Sequence, residues 1–249
     1  MIKTKTLLKL GLLWTLFSCS TFREPTYTIG IDPTFFPHDF MEQGAYVFGF
    51  IEDLLKEIGK KEGVHFTRVM YNWDNLKQGL DEKQYNGMIS FMELSLPNLD
   101  DYSFSDPILL TGPVLVLRQN EEARSFGDMQ SKEIAVENGS AGESLIERES
   151  GIYMRHYETV AGALLDVVEG KYDGAMVPYL TAVAYLKNLY RGRLKIVTKP
   201  MTKAGIRLIT LSEEEKALVD KFNHGFQKLK KEGKYDKLLE KWSLGPDPS

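Results

Sequence analysis

The chain has 249 residues, 43% of them apolar and 27% charged, with a net charge of −4. That length holds one large domain or two modest ones, and the composition is ordinary for a globular protein. The acidic balance and the absence of a long basic run argue against nucleic-acid binding as the main task.

In chain order, the first segment is "MIKTKTLLKLGLLWTLFSCSTF". Lys3, Lys5 and Lys9 form a positive leader, and Leu10 to Phe17 is an apolar run. The run is shorter than the roughly 20 residues needed to span a bilayer. The pattern therefore reads as a secretory signal over residues 1–18. Cys19 is the one cysteine of the chain and follows "LFS". The Leu three positions before it and the Ser one before it resemble a bacterial lipobox, although Phe17 is bulkier than usual there. A lipid on Cys19 would leave residues 19–25 as a tether, and a lone cysteine then needs no disulfide partner. The alternative is a plain signal peptide in which Cys19 is incidental.

The mature chain alternates strands and helices. "YTIGI" reads as a strand ending before Pro33. Gly49 is expected to open a helix, "GFIEDLLKEIGKKEG", with Phe50, Ile51, Leu54, Leu55 and Ile58 at helical spacing and Gly63 as its stop. "VHFTRVMY" is a strand, "WDNLKQGL" a short helix and "NGMISF" another strand. That β–α–β–α–β order belongs to a layered α/β domain. A second block repeats it: "KEIAVE", a helix from Gly139-Ser140 through Ile146, "MRHYE", the helix of "TVAGALLDVVEGK" with Thr159 as N-cap, "YDGAMV", "YLTAVAYLKNLY" and "RLKIVT". "AGIRLIT" is a further strand. Ser212 and Glu215 have the spacing of a capping box before a helix whose Leu218, Phe222, Phe226 and Leu229 share one face. "KYDKLLEKW" ends the ordered chain.

The last long helix has no third sheet to join, so it is expected to pack back on the first block. The backbone then crosses twice, near "GPVLVLR" and near "TKPMTKAG". This divides the chain into one lobe of residues 26–115 plus 203–244, a second of 116–202, and a tail of 245–249. Two lobes joined by two extended crossings make a hinge with a cleft, a favoured place for a ligand.

The segments "YTIGIDPTFFPHDF", "GFIEDLLKEIGKKEG", "NWDNLKQGLDEKQYNGMI", "FSDP", "IAVENGS", "EGKYDGAMV" and "LKKEGKYDKLLEKW" fall in the order of one family. From about Tyr27 to Trp242 the chain resembles the polar-amino-acid group of periplasmic solute-binding proteins that serve ABC importers. The resemblance implies a type II two-lobed α/β fold, each lobe a sheet flanked by helices, with two hinge crossovers. It implies a monomeric receptor, periplasmic or on the outer face of a membrane, that closes on a small polar solute and delivers it to a permease, with no cofactor.

The resemblance also places a site. Asp32 and Phe35 fall in the family's acid and aromatic slots, with Phe35 offering a flat apolar face. Trp73 falls near the opposite wall. "SFMELS" brings Ser90, Phe91 and Glu93 to the cleft edge, and Glu137 adds a further acid. Gly139-Ser140 opens a helix whose N–H groups suit an anion. The family's carboxylate-gripping Arg slot, counted back from "FSDP", holds Asn98. Its acid for the ammonium holds Pro178. Residues 85–107 contain Glu93, Asp100, Asp101 and Asp106 but no Lys or Arg.

Three readings of that site stay open. In one, an amino acid is held by replacements: Ser140 with its helix, Asp32 or Glu93, and Arg207 or Arg118. In another, the acidic cleft takes a cationic or polyhydroxy solute. In the third, the site has decayed and the fold serves a partner protein. Each residue also has a plainer role: Phe35 and Trp73 as core, Asp32 as a turn cap beside Pro33, Glu93 as solvated, Arg207 as the mate of a surface acid.

No hydrolase, zincin or nucleotide-loop motif is present, and His38, His65, His156 and His224 lack zinc-ligand spacing. The remaining enzymatic alternative is a dehydratase-like reaction with Glu93 or Glu137 as general acid. No metal or catalytic residue is expected.

Overall fold

The computed structural model describes residues 24–32, 44–92, 100–212 and 215–245. The elements run β1 (Thr26–Ile31), α1 (Gly44–Glu62), β2 (His65–Met70), α2 (Trp73–Asp81), β3 (Gly87–Ser90), β4 (Tyr102–Phe104), β5 (Leu109–Leu110) and β6 (Pro113–Arg118). They continue with β7 (Glu133–Glu137), α3 (Ala141–Ile146), β8 (Tyr153–Tyr157), α4 (Val160–Val168), β9 (Gly174–Pro178), α5 (Tyr179–Asn188), β10 (Leu194–Ile196), β11 (Gly205–Leu211), α6 (Lys216–Lys231) and α7 (Lys234–Lys241).

Two sheets result. The first has the order β2-β1-β3-β11-β4, with β5 also paired to β11; the second is β10-β6-β9-β7-β8. In each, three parallel strands meet an antiparallel one: β1, β2 and β3 beside β11, and β7, β8 and β9 beside β6. The parallel strands come from β–α–β units, whose helices cover the faces. Thr159 caps α4 as expected, its hydroxyl accepting from Gly162 N–H at 3.1 Å.

α6 does return to the first sheet. Leu218, Phe222, Phe226 and Leu229 are all fully buried. On the rim, Glu62 of α1 accepts from His224 at 3.0 Å and Lys228 at 3.1 Å, while Asp53 accepts from Trp242 Nε1 at 2.8 Å and Lys241 at 2.6 Å. Burial alone would raise the Glu62 and Asp53 carboxyls, but these bonds outweigh it and hold both below the ordinary carboxylate range. A folded pKa below the unfolded one adds stability above the unfolded value and loses it as pH falls through the folded one. Denaturant unfolding at pH 7 and near pH 3 should therefore show an acid loss that shrinks in Glu62→Gln; an equal loss in both proteins would contradict it.

Three expectations need correction. Helix α1 starts at Gly44, not Gly49. Gly49 is instead where the Trp242 indole lies on the helix, and a Cβ there would collide with that ring. Ser212 and Glu215 form no capping box: the helix begins at Lys216, Glu215 makes no side-chain cap bond, and its carboxylate accepts from Asn86 at 2.8 Å instead. "GPVLVLR" is not an extended crossing. Pro113–Arg118 is strand β6, between β10 and β9, and Pro113 to Leu117 are buried. A continuous apolar run is what a strand covered on both faces requires.

The crossings themselves are short and adjacent. The first occupies Thr111 and Gly112, and the second the stretch from Thr198 to Ala204. Thr111 N–H donates to Ala204 O at 2.9 Å, and Met201 N–H to Pro113 O at 2.9 Å. Gly112 lies so close to Thr202 that a Cβ would overlap its hydroxyl. One buried apolar cluster joins Ile29, Phe50 and Phe222 of the first block to Val116, Leu164 and Val177 of the second.

Candidate functional site

The sheet registers locate the candidate residues. Ile31 is level with Met70 on one side and Ile89 on the other, so the carboxyl ends of β1, β2 and β3 form one edge. Asp32, Tyr71 and Ser90 lie on it. In the second sheet Glu137 pairs Tyr157, and Val136 pairs Met176, so Glu137, Glu158 and Pro178 lie on the corresponding edge. In open α/β sheets ligands bind outside such carboxyl ends.

The antiparallel strands bring both edges to the crossings. Ser90 is opposite Arg207, two residues into β11, where the second crossing ends. Pro178 is opposite Pro113, where the first crossing ends. Tyr179 N–H donates to Gly112 O at 3.1 Å. Asp32, Ser90 and Phe91 on one sheet and Glu137, Ser140 and Pro178 on the other therefore flank the same pair of crossings.

Individually, Asp32 and Ser90 are buried, and the Ser90 hydroxyl accepts from Met92 N–H at 3.1 Å. Phe91 is half-buried against the main apolar cluster. Glu137 is exposed at the end of β7. Ser140 is the N-cap of α3, its hydroxyl accepting from Glu143 N–H at 3.2 Å. Part of the anion-binding capacity expected of this turn is already used: Gly139 N–H donates to Glu143 Oε2 at 2.6 Å, and Glu143 Oε1 meets His156 Nε2 at 2.6 Å. The Gly139 bond, with a smaller contribution from His156, lowers the Glu143 pKa. Pro178 precedes α5 without a side-chain cap. Trp73 begins α2. Cys19, Phe35, Glu93 and Asn98 lie outside the described residues.

The two basic residues considered as substitutes differ in place. Arg118 lies at the far end of β6 and donates to Val167 O at 3.0 Å, Tyr172 O at 2.8 Å and Glu121, so it serves the second sheet's interior loops. Arg207 lies on the candidate edge, buried, with Nη1 on Ser105 O at 2.6 Å and Nη2 on Lys203 O at 2.9 Å. It is not the mate of a surface acid. Burial lowers its pKa, with Asp106 acting the other way.

A cavity of about 590 Å³ lies elsewhere, lined by Lys77, Asp81, Lys83, Asp100, Asp101, Tyr102, Leu211 and Ser212. Leu211 and Tyr102 pair at the far end of β11, away from Ser90. Asp81 there already receives Lys77 at 2.8 Å and the Tyr102 hydroxyl. It is a surface hollow away from the candidate edge. Among the described residues no group of three or more His, Cys, Asp or Glu is placed to hold a metal, and no helix is long and apolar enough to cross a membrane.

Two α/β sheets whose carboxyl edges both adjoin two adjacent crossings define a type II periplasmic-binding-protein architecture. Residues 27–245 match the bacterial extracellular solute-binding proteins, family 3, and the chain belongs to that family. An arginine-binding periplasmic protein of Mannheimia haemolytica is 26% identical over 242 residues, covering 96% of this chain and 100% of the relative. ABC transporter arginine-binding protein 1 of Escherichia coli K12 is 24% identical over 218 residues, covering 86% and 88%. Among solved structures, the L-cystine solute receptor of Neisseria gonorrhoeae, unliganded and open, superposes with a TM-score of 0.70 at 20% identity, over 90% of this chain and 94% of that one. At that identity the likeness is one of fold.

Sequence reasoning overlooked Tyr179 and Leu244. Tyr179 is buried and its hydroxyl donates to Leu244 O at 2.9 Å. Burial raises its pKa to about 12, so it remains a donor at neutral pH. The one signal for Tyr179 was its position directly after the "DGAMVP" strand; Leu244 had none.

Proposed function

We propose that this chain is the extracytoplasmic receptor of an ABC importer and binds an amino acid, with arginine-like solutes first in line. What supports this reading is that Asp32, Ser90, Glu137 and Pro178 lie at the carboxyl ends of strands beside the two crossings between the sheets. Family membership and the arginine-binding names of two relatives support it. A solute touching both edges binds the closed form better than the open one, and only that difference shifts the equilibrium. The closed form presents a new surface to a permease.

The moving parts in this reading are the two lobes on either side of Thr111–Gly112 and of the stretch Thr198–Ala204. Residues 1–18 act as a secretory signal, Cys19 carries lipid, and the residues up to 25 tether a monomer to the membrane. Cys19→Ala should then move the protein from the membrane to the soluble fraction.

A thermal-shift panel of amino acids, short peptides, polyamines and sugars tests the solute class. A rise in melting temperature with amino acids is expected, and a rise with sugars alone would contradict it. Asp32→Ala should weaken the binding of the best amino acid by about 1–3 kcal/mol, measured by titration calorimetry. Unchanged affinity would put the site elsewhere. Prephenate-like acids are expected to show no turnover, and turnover would favour the dehydratase alternative.

A further inference from the structure

Among the described residues, the buried charged side chains are two: Asp32, 7% exposed, and Arg207, 6% exposed. They belong to the same structural row. Strands β1, β3 and β11 are consecutive neighbours in the first sheet. Ile31 is level with Ile89, so Asp32 is level with Ser90, and Ser90 is directly opposite Arg207. The backbone positions of an acid, a hydroxyl residue and an arginine thus lie side by side across three strands at the carboxyl edge. The outer two are about 10 Å apart at two strand spacings, while the guanidinium itself reaches Ser105 and Lys203.

Arg207 is held but not neutralised. Its two terminal nitrogens donate to the main-chain carbonyls of Ser105 and Lys203. Ser105 is fixed in turn, its hydroxyl accepting from Leu208 N–H at 3.0 Å. Two of five guanidinium donors are spent in this way, and arginine does not lose its charge in a protein. No described carboxylate lies within salt-bridge distance of it, and the nearby Asp106 accepts from Gln227 at 2.6 Å. A desolvated cation whose nearby acid, Asp106, forms no salt bridge with it is costly, and an incoming carboxylate lowers that cost. The planar fork suits a carboxylate, and its carbonyl anchors fix its orientation in advance.

We propose that Arg207 receives the α-carboxylate of the amino-acid solute beside Ser90, with Asp32 on the ammonium side of the same row. This rests on the amino-acid reading above. It also accounts for the absence of Lys and Arg from residues 85–107: the cation is supplied from the neighbouring strand, more than a hundred residues later.

The test pairs each amino acid with the amine that lacks its carboxylate: L-arginine with agmatine, L-lysine with cadaverine, L-histidine with histamine. Calorimetry on the wild-type protein should show the amino acid of a binding pair favoured by about tenfold to a hundredfold. In Arg207→Gln that preference should fall to within about threefold, and in Arg207→Lys to an intermediate value, because the charge remains but the fork is lost. A purely structural Arg207 would lower the melting temperature and weaken both members of a pair equally; an unchanged ratio overturns the proposal and leaves the amino-acid reading standing. Equal wild-type affinity for both members overturns it too, whether or not the variants fold. Failure of every amino acid to bind overturns both.

Discussion

Phe226→Ala is expected to lower the unfolding free energy by about 3–5 kcal/mol, the range for emptying an aromatic site in a packed core. Phe226 is fully buried on α6. Its ring is 6.1 Å from that of Phe222 and meets Tyr235 edge-on at 5.3 Å, and Lys230 Nζ lies 4.1 Å from its centroid. Tyr235 also contacts Phe50 at 6.0 Å and donates its hydroxyl to Ile108 O at 2.9 Å. Removing the ring therefore loosens α1, α6, α7 and the β5 region together. These neighbours belong to the first sheet, so hydrogen exchange in Phe226→Ala should speed up there before it does around β7, β8 and β9. A loss below about 1 kcal/mol, or a uniform rise in exchange, would show that α6 is not the element that completes the packing on the first sheet.

Leu244→Ala should cost about 2–5 kcal/mol, although the residue lies five positions from the end of the chain. The chain leaves α7 through Ser243, whose φ of 55° is in the left-handed region. That conformation is unfavourable for a residue with a Cβ, and it turns Leu244 inward to full burial. On one side Trp242 anchors this turn to α1 through Asp53 and Gly49. On the other side its carbonyls are taken by α5: Tyr179 donates to Leu244 O at 2.9 Å and Lys187 to Ser243 O at 2.7 Å. The turn thus links α1 to α5. Denaturant titration should show the loss in Leu244→Ala, with Tyr179→Phe costing about 0.5–1.5 kcal/mol as the loss of one hydrogen bond. Wild-type stability in Leu244→Ala would mean that the turn is an unneeded end.

The sequence by itself determined the β–α–β units, the two blocks, and the return of α6. These depend on local periodicity: Leu218, Phe222, Phe226 and Leu229 can bury together on one helical face and on no other element. The family resemblance, rather than periodicity, brought Asp32, Ser90, Glu137 and Pro178 forward, and each lies at or just past the end of a strand. Where the sequence was misleading, the deciding neighbour was remote. Gly49 resembles a helix start until Trp242 lies against it, and Glu215 resembles half of a capping box until Asn86 takes its carboxylate. "GPVLVLR" is apolar whether it crosses between lobes or fills the middle of a sheet; only its partners β9 and β10 decide.

Tertiary structure alone decided which charges share an edge. Strand pairing places Arg207 opposite Ser90 and Asp32 one strand further on, across separations of more than a hundred residues. Local propensity reaches only a few residues along the chain, whereas sheet register is set by which apolar faces must be buried together. The elements were therefore legible in the sequence, while the polar row on their shared edge emerged only when the strands were assembled.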